Sequence, residues 1–330
     1  MNEQPSLPFV SIVTPVYNCA DYLRECIESV LAQTYPYWDY TIVNNVSTDR
    51  TREIAEEFTV RDSRIRIVEN EAHVGVVENH NHALRAISPE SKYCKVVDAD
   101  DWLYPDCLRQ MVELAEDNPS VGIVGAYGLF GTRVAWHGLP YTTRVINGRE
   151  LCRLSLLGKL AIFGSPTSTL LRSSLVRSRD PFYNESNLHS DLEACYELLA
   201  DSDFGFIHQV LTFTRADNES TRTVAKQLNS NFVCHIYHLS KFGHLYLTKS
   251  EYSEHLGRLT KDYYRFLAWS AFPPRGKQFW RFHRERLLQA GQSLSRLRLL
   301  NALIGRAVQA LLHPRRSAEG LWQWLSHEVS

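Results

Sequence analysis

A chain of 330 residues exceeds the usual size of one domain, so the sequence points to a large domain with an appendage or to two domains. With 44% hydrophobic and 22% charged residues it has ample material for a core, which excludes a disordered or fibrous class. The formal net charge of −1 hides a division, because residues 1–224 carry 20 Lys+Arg against 31 Asp+Glu whereas residues 225–330 carry 16 against 6, a split that suits two regions with different partners.

The opening MNEQPSLPFVSIV has neither the basic nor the long apolar region of a secretory signal, and no run of about eighteen apolar residues follows, so a cytoplasmic location is expected. The seven cysteines are scattered, with no C-x-x-C pair, and read as small buried thiols in place of zinc ligands or disulfides.

Residues 9–14 (FVSIVT) form the first predicted strand and PVYN the turn after it. Residues 20–33 place Leu23, Ile27, Val30 and Leu31 at spacings of three and four, an amphipathic helix. Residues 40–43 (YTIV) give a second strand, after which Ser47 or Thr48 can cap a helix carrying Ile54, Ala55 and Phe58. A third strand over 65–68, a helix over 76–87 and a fourth strand over 94–97 (CKVV) follow, with Pro105 placed to open the next helix. Residues 121–126 read as a fifth strand. This alternation marks a mostly parallel sheet with crossover helices. Beyond about residue 150 it weakens, giving a strand over 165–172, a helix over 190–200 and a strand over 205–215. The remainder, beyond Thr221, is helical in pattern and rich in aromatics and arginine. The expected division is therefore residues 1–224 and a basic, helical region 225–330.

Ligands of open sheets bind outside the carboxyl ends of the strands, where the Pro15 turn, Asn44-Asn45 and the run KVVDADDWLYPD all fall. Asp98, Asp100 and Asp101 stand within four residues, and like charges so close oppose one another's ionisation unless something compensates. In extended backbone Asp98 and Asp100 project to one side, and their hard oxygens suit Mg²⁺ or Mn²⁺ completed by phosphates and water. A helix cap near Tyr104 accounts for one such carboxylate but not for all three.

The run VSIVTPVYN (Val10 to Asn18), then Tyr22-Leu23, then SVLAQTY from Ser29, resembles the opening of the family 2 glycosyltransferases, which carry the GT-A fold. TIVNNVSTD, His73-Val-Gly75, Asn79-His-Asn81 and VVDADDWLYPD continue it in the family's order, closely over residues 9–126 and loosely to about Ser220. The resemblance implies an α/β, Rossmann-like fold with a mostly parallel sheet flanked by helices, here with a C-terminal helical extension. It implies an inverting, metal-dependent hexosyltransferase of bacterial surface-polysaccharide type. The donor would be a nucleoside-diphosphate sugar, foremost a UDP-sugar, and the acceptor a hydroxyl of a glycan or a lipid-linked glycan. Residue by residue, Thr14, Pro15 and Tyr17 would line the nucleotide pocket beside Asn44 and Asn45, and Asn81 would bond the nucleotide-sugar loop. Asp98, next to Ala99, would face the ribose and sugar. Asp100 would hold Mn²⁺ or Mg²⁺ on the diphosphate, with Asp98 and Asp217 as further ligands and Arg215 reaching the diphosphate.

The family's Glu-Asp pair falls on Ser190-Asp191, which makes Asp191 the expected base for the acceptor hydroxyl. As a helix-start residue it would also be favoured by the macrodipole, which lowers a carboxyl pKa and weakens it as a base. The family's Asp-Asp-Gly-Ser is Asn44-Asn-Val-Ser47 here, and Val46 in place of glycine argues against a positive φ at that position. An asparagine oxygen still accepts a hydrogen bond from a base, but without charge. Asp217 stands where the family often has a histidine. His80 and His82 are two apart in a helical pattern and do not share a face, which sets zinc aside.

From Arg275 onward there are ten Lys+Arg against three Asp+Glu, and Trp280, Leu287, Leu294, Leu297, Leu300, Ile304, Val308 and Leu311 recur at near-helical intervals. Such a helix suits an anionic membrane surface, as a peripheral contact on the inner face, or packs on the catalytic domain or a second subunit in a homo-oligomer. Two other classes are weighed. A non-catalytic nucleotide-sugar binder or scaffold is motivated by Asn44, Asn45 and Ser190. A dinucleotide oxidoreductase is disfavoured because no G-x-G-x-x-G follows a strand, and no nucleic-acid partner is expected from so acidic a front part.

Overall fold

The computed structural model describes residues 7–216, 227–271 and 275–312. The chain divides into two compact units, Met1–Thr221 and Arg222–Ser330. In the first, β1 (Val10–Val16) is buried along its whole length, as a strand covered on both faces must be. It pairs in parallel with β2 (Trp38–Asn44) on one side and β4 (Tyr93–Val96) on the other, and β2 pairs in parallel with β3 (Ile65–Glu69). The crossovers are α1 (Ala20–Leu31), α2 (Thr51–Arg61) and α3 (Val76–Arg85). Leu23, Cys26, Ile27 and Val30 fill the buried face of α1, and Ile54, Ala55 and Phe58 that of α2.

The second half of the sheet is less regular. After β5 (Trp102–Leu103) and α4 (Cys107–Asp117) come β6 (Val121–Phe130), β7 (Arg133–Ala135), β8 (Val145–Ile146) and α5 (Gly148–Leu156). The predicted strand over 165–172 divides into a 3-10 turn at Pro166–Ser168 and β9 (Thr169–Arg172). Then follow α6 (Ser173–Arg177), α7 (Ser190–Leu198) and β10 (Asp203–Thr214). The strand order is β3-β2-β1-β4-β9-β6-β10-β5, with β7 on β6 and β8 on β10. β9 runs antiparallel between β4 and β6, while β10 runs parallel to β6. Fully buried Lys95 fixes this insertion, since its Nζ donates to the carbonyls of Thr167 and Thr169 at 2.5 and 3.1 Å. Burial without a carboxylate partner pushes its pKa down.

Two local expectations change. The residue at the N-cap of α2 is Arg50, which makes no side-chain cap; Asp49 just before it, and neither Ser47 nor Thr48, holds the helix start, with Oδ1 accepting from Thr51 N at 3.0 Å. Its Oδ2 accepts from Ala20 N at 3.1 Å, so one carboxylate serves the starts of two helices. The basic tail is two helices instead of one, α10 (Lys277–Gln289) and α11 (Arg296–Leu312), with Gly291 at φ +71 behind the end of α10.

The second unit also holds α8 (Asn231–Tyr246) and α9 (Lys249–Trp269), the latter opened by a reciprocal cap between Thr248 and Glu251. Val233, Ile236, Tyr263, Leu267, Phe279 and Leu287 belong to its core. Among the described residues no helix is long and apolar enough to cross a membrane.

Candidate active site at the carboxyl ends of the strands

The end of β1 meets the end of β2 in register, Val16 beside Asn44, and Asn44 in turn lies beside Glu69 of β3. Thr14 is fully buried and its hydroxyl bonds Tyr40 at 2.7 Å, so its side chain belongs to the core. Two residues beyond Pro15 the chain surfaces. Tyr17 is half exposed, with its ring 4.3 Å from that of His73. Asn18, at φ +46, accepts from Thr48 N at 2.7 Å and donates its own backbone N–H to Ser47 Oγ at 3.0 Å.

Those bonds hold the turn after β2, where Val46 has φ +58. The expectation that no positive φ is required here is therefore overturned. A β-branched residue sits in the left-handed region because the bonds from Asn18 and Asn44 on either side determine the turn. Asn44 is buried and engaged: its amide donates to both oxygens of Glu69 at 2.9 and 3.0 Å, and its carbonyl accepts from Ser47 Oγ at 2.6 Å. An aspartate in its place would face the Glu69 carboxylate. Asn45, also buried, exchanges hydrogen bonds with the Val74 backbone and accepts from Asn70, which fastens the loop before α3.

The acidic turn after β4 is where the titratable groups converge. Asp98 Oδ1 lies 2.9 Å from His80 Nε2, while His80 Nδ1 lies 2.9 Å from the Val76 carbonyl. That carbonyl can only accept, so Nδ1 carries a hydrogen, and the contact with Asp98 needs a second proton shared by the pair. Burial presses the His80 pKa down, but the Asp98 carboxylate outweighs it and holds it above the ordinary value. Ala99 is buried. Asp101 is buried too; its Oδ1 accepts from Arg215 N at 3.0 Å and its Oδ2 is an orphan. Burial first, then the charges of Asp98 and Asp100, push its pKa well up.

Arg215, just past β10, closes this side. It donates to Glu25 at 2.7 Å and to the Asp100 carbonyl at 3.2 Å, and stacks 4.3 Å from the Tyr22 ring centre. Asp217 lies outside the described residues.

Asp191 enters from the first turn of α7. Burial, the largest influence, raises its carboxyl and the charge of Asp98 adds to it, while the Leu192 N–H and His189 pull the other way. The net rise corrects the expectation that the helix start holds it low, because desolvation outweighs the macrodipole here. Buried Glu193 orders the approach to α7 by accepting from Asn184 and Asn187. Asn81, buried on α3, grips the Tyr183 backbone at N and O and also donates to Glu185, so it holds this approach in place.

The structure thus gathers Asp98, Asp100, Asp101, Arg215 and Asp191 at one end of the sheet, and turns Thr14, Asn44, Asn45 and Asn81 inward as supports. His80, Thr167, Glu69 and Glu25 were not foreseen. Thr167 Oγ1 accepts from Asp98 N at 3.0 Å. The signal for His80 was its place in Asn79-His-Asn81; the other partners depend on the register of distant strands. No cluster of three His, Cys, Asp or Glu able to hold a metal occurs among the described residues. A cation bound mainly by phosphates needs only one or two protein carboxylates, and Asp98 and Asp100 are the residues of this turn that would hold it.

Comparisons with known proteins agree with this architecture. The family model described as Glycosyl transferase family 2 matches residues 11–178, just over half of the chain. Over 106 residues, 32% of this chain and 41% of the relative, the sequence is 37% identical to a Bacillus subtilis glycosyltransferase, TuaG, named for teichuronic acid biosynthesis. Over 118 residues, 36% of this chain and 38% of the relative, it is 30% identical to the glycosyltransferase GlyG of Streptococcus pneumoniae. The matches thus span about two fifths of those relatives' length. Among solved structures, S. aureus TarS in complex with UDP-GlcNAc superposes with a TM-score of 0.63 at 16% identity, covering 89% of this chain and 87% of that one. The mannosyltransferase PcManGT of Pyrobaculum calidifontis, in complex with GDP-Man and Mn²⁺, gives 0.57 at 16% identity over 97% and 86%. From its sequence match and its strand order together, the chain belongs to glycosyltransferase family 2 and carries the GT-A fold.

Proposed function

We propose that the chain transfers a sugar, with inversion, from a nucleoside-diphosphate sugar to a hydroxyl of a glycan or lipid-linked glycan of a bacterial surface polysaccharide. The observation that carries this reading is the placing of a carboxyl of raised pKa, Asp191, within charge reach of Asp98 in the acidic turn. The relative named for teichuronic acid biosynthesis supports the glycan class, and the complexes of the structural neighbours support a sugar-nucleotide donor, a UDP-sugar first.

In this mechanism Asp191 accepts the proton of the acceptor hydroxyl as its oxygen forms the new bond to the anomeric carbon. The bond from that carbon to the diphosphate breaks with its electron pair, so the nucleoside diphosphate leaves and the centre inverts in one displacement. Asp98, held by His80 and by Thr167, orients the sugar. Tyr17 offers a half-exposed ring to the base, and Arg215 stands beside the turn where the diphosphate would lie. A divalent cation, Mn²⁺ or Mg²⁺, held by Asp100 and Asp98, would neutralise charge on the leaving diphosphate.

Asp191→Asn removes the proton acceptor and keeps the shape, and is expected to lower kcat about 10²- to 10⁴-fold with donor binding retained. Transfer at the native rate would contradict the role. A second reading, a sugar-nucleotide binder without turnover, draws on the internal engagement of Asn44 and Asn45; native donor hydrolysis or transfer at any rate above that of Asp191→Asn rules it out.

A further inference from the structure

The second unit carries a feature that sugar transfer does not use. On α11, Leu297, Leu300, Ile304, Val308 and Leu311 are all about half exposed or more, from 47% for Val308 to 82% for Leu311. Their spacing of three and four places them on one stripe of the helix. The opposite face is occupied: Leu299 and Ala302 pack on the core of the unit, and Arg306 donates to the Ala268 carbonyl at 2.8 Å and lies 4.3 Å from the Trp269 ring centre. The helix therefore has an inner side already satisfied and an outer side of bare aliphatic groups.

We infer that this stripe is a docking surface for an anionic phospholipid bilayer. Charge selects the occupant. Residues 275–312 hold eight Lys+Arg, of which Arg286 is buried and Arg306 is turned to the core, and a single acidic residue, Glu285; α11 itself has no Asp or Glu. Exposed Arg296 and Arg298 fall on either flank of the stripe at its first turn, with the aliphatic groups between them. Such a helix lies in the interface with its apolar side among the acyl chains and its arginines at the phosphates. A second copy of the stripe would bring arginine rims together with no carboxylate on α11 to answer them. The stripe belongs to the second unit and the candidate active site to the first, so docking can fail while sugar-nucleotide binding persists.

The test is flotation of the purified full chain with vesicles of phosphatidylcholine alone and of phosphatidylcholine mixed with phosphatidylglycerol. The chain is expected to float with the anionic vesicles and far less with the neutral ones. The double variant Leu300→Glu, Ile304→Glu should lower partition at least about tenfold. Arg296→Gln with Arg298→Gln should lower it about fivefold per charge, with the native loss reproduced by raised salt. Because all four side chains are exposed, the melting temperature serves as a folding control. Flotation with neither vesicle, or equal flotation of the leucine-isoleucine variant, overturns the proposal. Absence of flotation together with a concentration-dependent dimer in light scattering, abolished by Ile304→Glu, overturns it in favour of a second copy.

Discussion

Val46 adopts a backbone that glycine would adopt without strain. At φ +58 its branched Cβ crowds the carbonyl oxygen that follows, a conflict worth about 1–2 kcal/mol per residue. Val46→Gly is therefore expected to stabilise the native state by about 1 kcal/mol in urea unfolding, the lower end because glycine frees the unfolded chain. A variant less stable than the native chain would show that the Val46 side chain makes a compensating contact. Asn44 and Glu69, 25 residues apart, form a matched pair. Asn44→Asp sets two carboxylates against each other and should cost about 1–3 kcal/mol, and Glu69→Gln should restore much of it, which a double-mutant cycle measures. Additive effects would mean the two do not act as a unit. Asp191 combines both themes. Its folded carboxyl titrates above the unfolded value, so this contribution favours the fold below the unfolded pKa and is lost as pH rises through the folded one. Asp191→Asn should thus melt higher than the native chain at neutral pH while losing transfer. The gap should close on acidification below the ordinary carboxylate range, and a lower melting temperature at pH 7 would contradict it.

Among the elements, the α8–α9–α10 packing is pH-sensitive in a defined direction. His283 is fully buried, donates Nε2–H to the Leu228 carbonyl at 2.9 Å and accepts from Tyr263 at 3.0 Å. Burial pushes its pKa down to about 4. Between the unfolded value near 6.5 and about 4 the unfolded state binds the extra proton, so stability rises with pH across that window and is lost as the pH drops through it. His283→Gln should flatten the slope, and an unchanged slope would assign it to other groups. Periodicity located β1, α1, α2, α3 and α7 because each buries one face or both. It did not give the direction of β9, which the sequence pattern of a strand does not encode, nor the two-residue strands β5 and β8, too short for a period. Asp49, and neither Ser47 nor Thr48, holds the start of α2, and it also reaches Ala20, a contact made only in the folded unit. The acidic turn and Asp191 were legible as residue types in a family order; the engagement of Asn44 by Glu69 and of Asp98 by His80 depended on register and helix phase.

At the scale of the whole molecule, the chain is made of two units of opposite formal charge. The first carries the sheet and its acidic end, and the second carries α11 with its basic flanks. The first unit is expected to bind a sugar nucleotide at the Asp98–Asp101 turn with a divalent cation. Thermal unfolding of the native chain and of Asp100→Ala, against UDP-, GDP-, dTDP- and CMP-sugars with and without Mn²⁺, tests it most directly. A ligand at a hundred times its Kd adds about 2.7 kcal/mol to the folded state. The expected result is a rise in melting temperature with one donor, a UDP-sugar first, that needs Mn²⁺ and is lost in Asp100→Ala. No shift with any donor, or an equal shift in Asp100→Ala, would contradict the account.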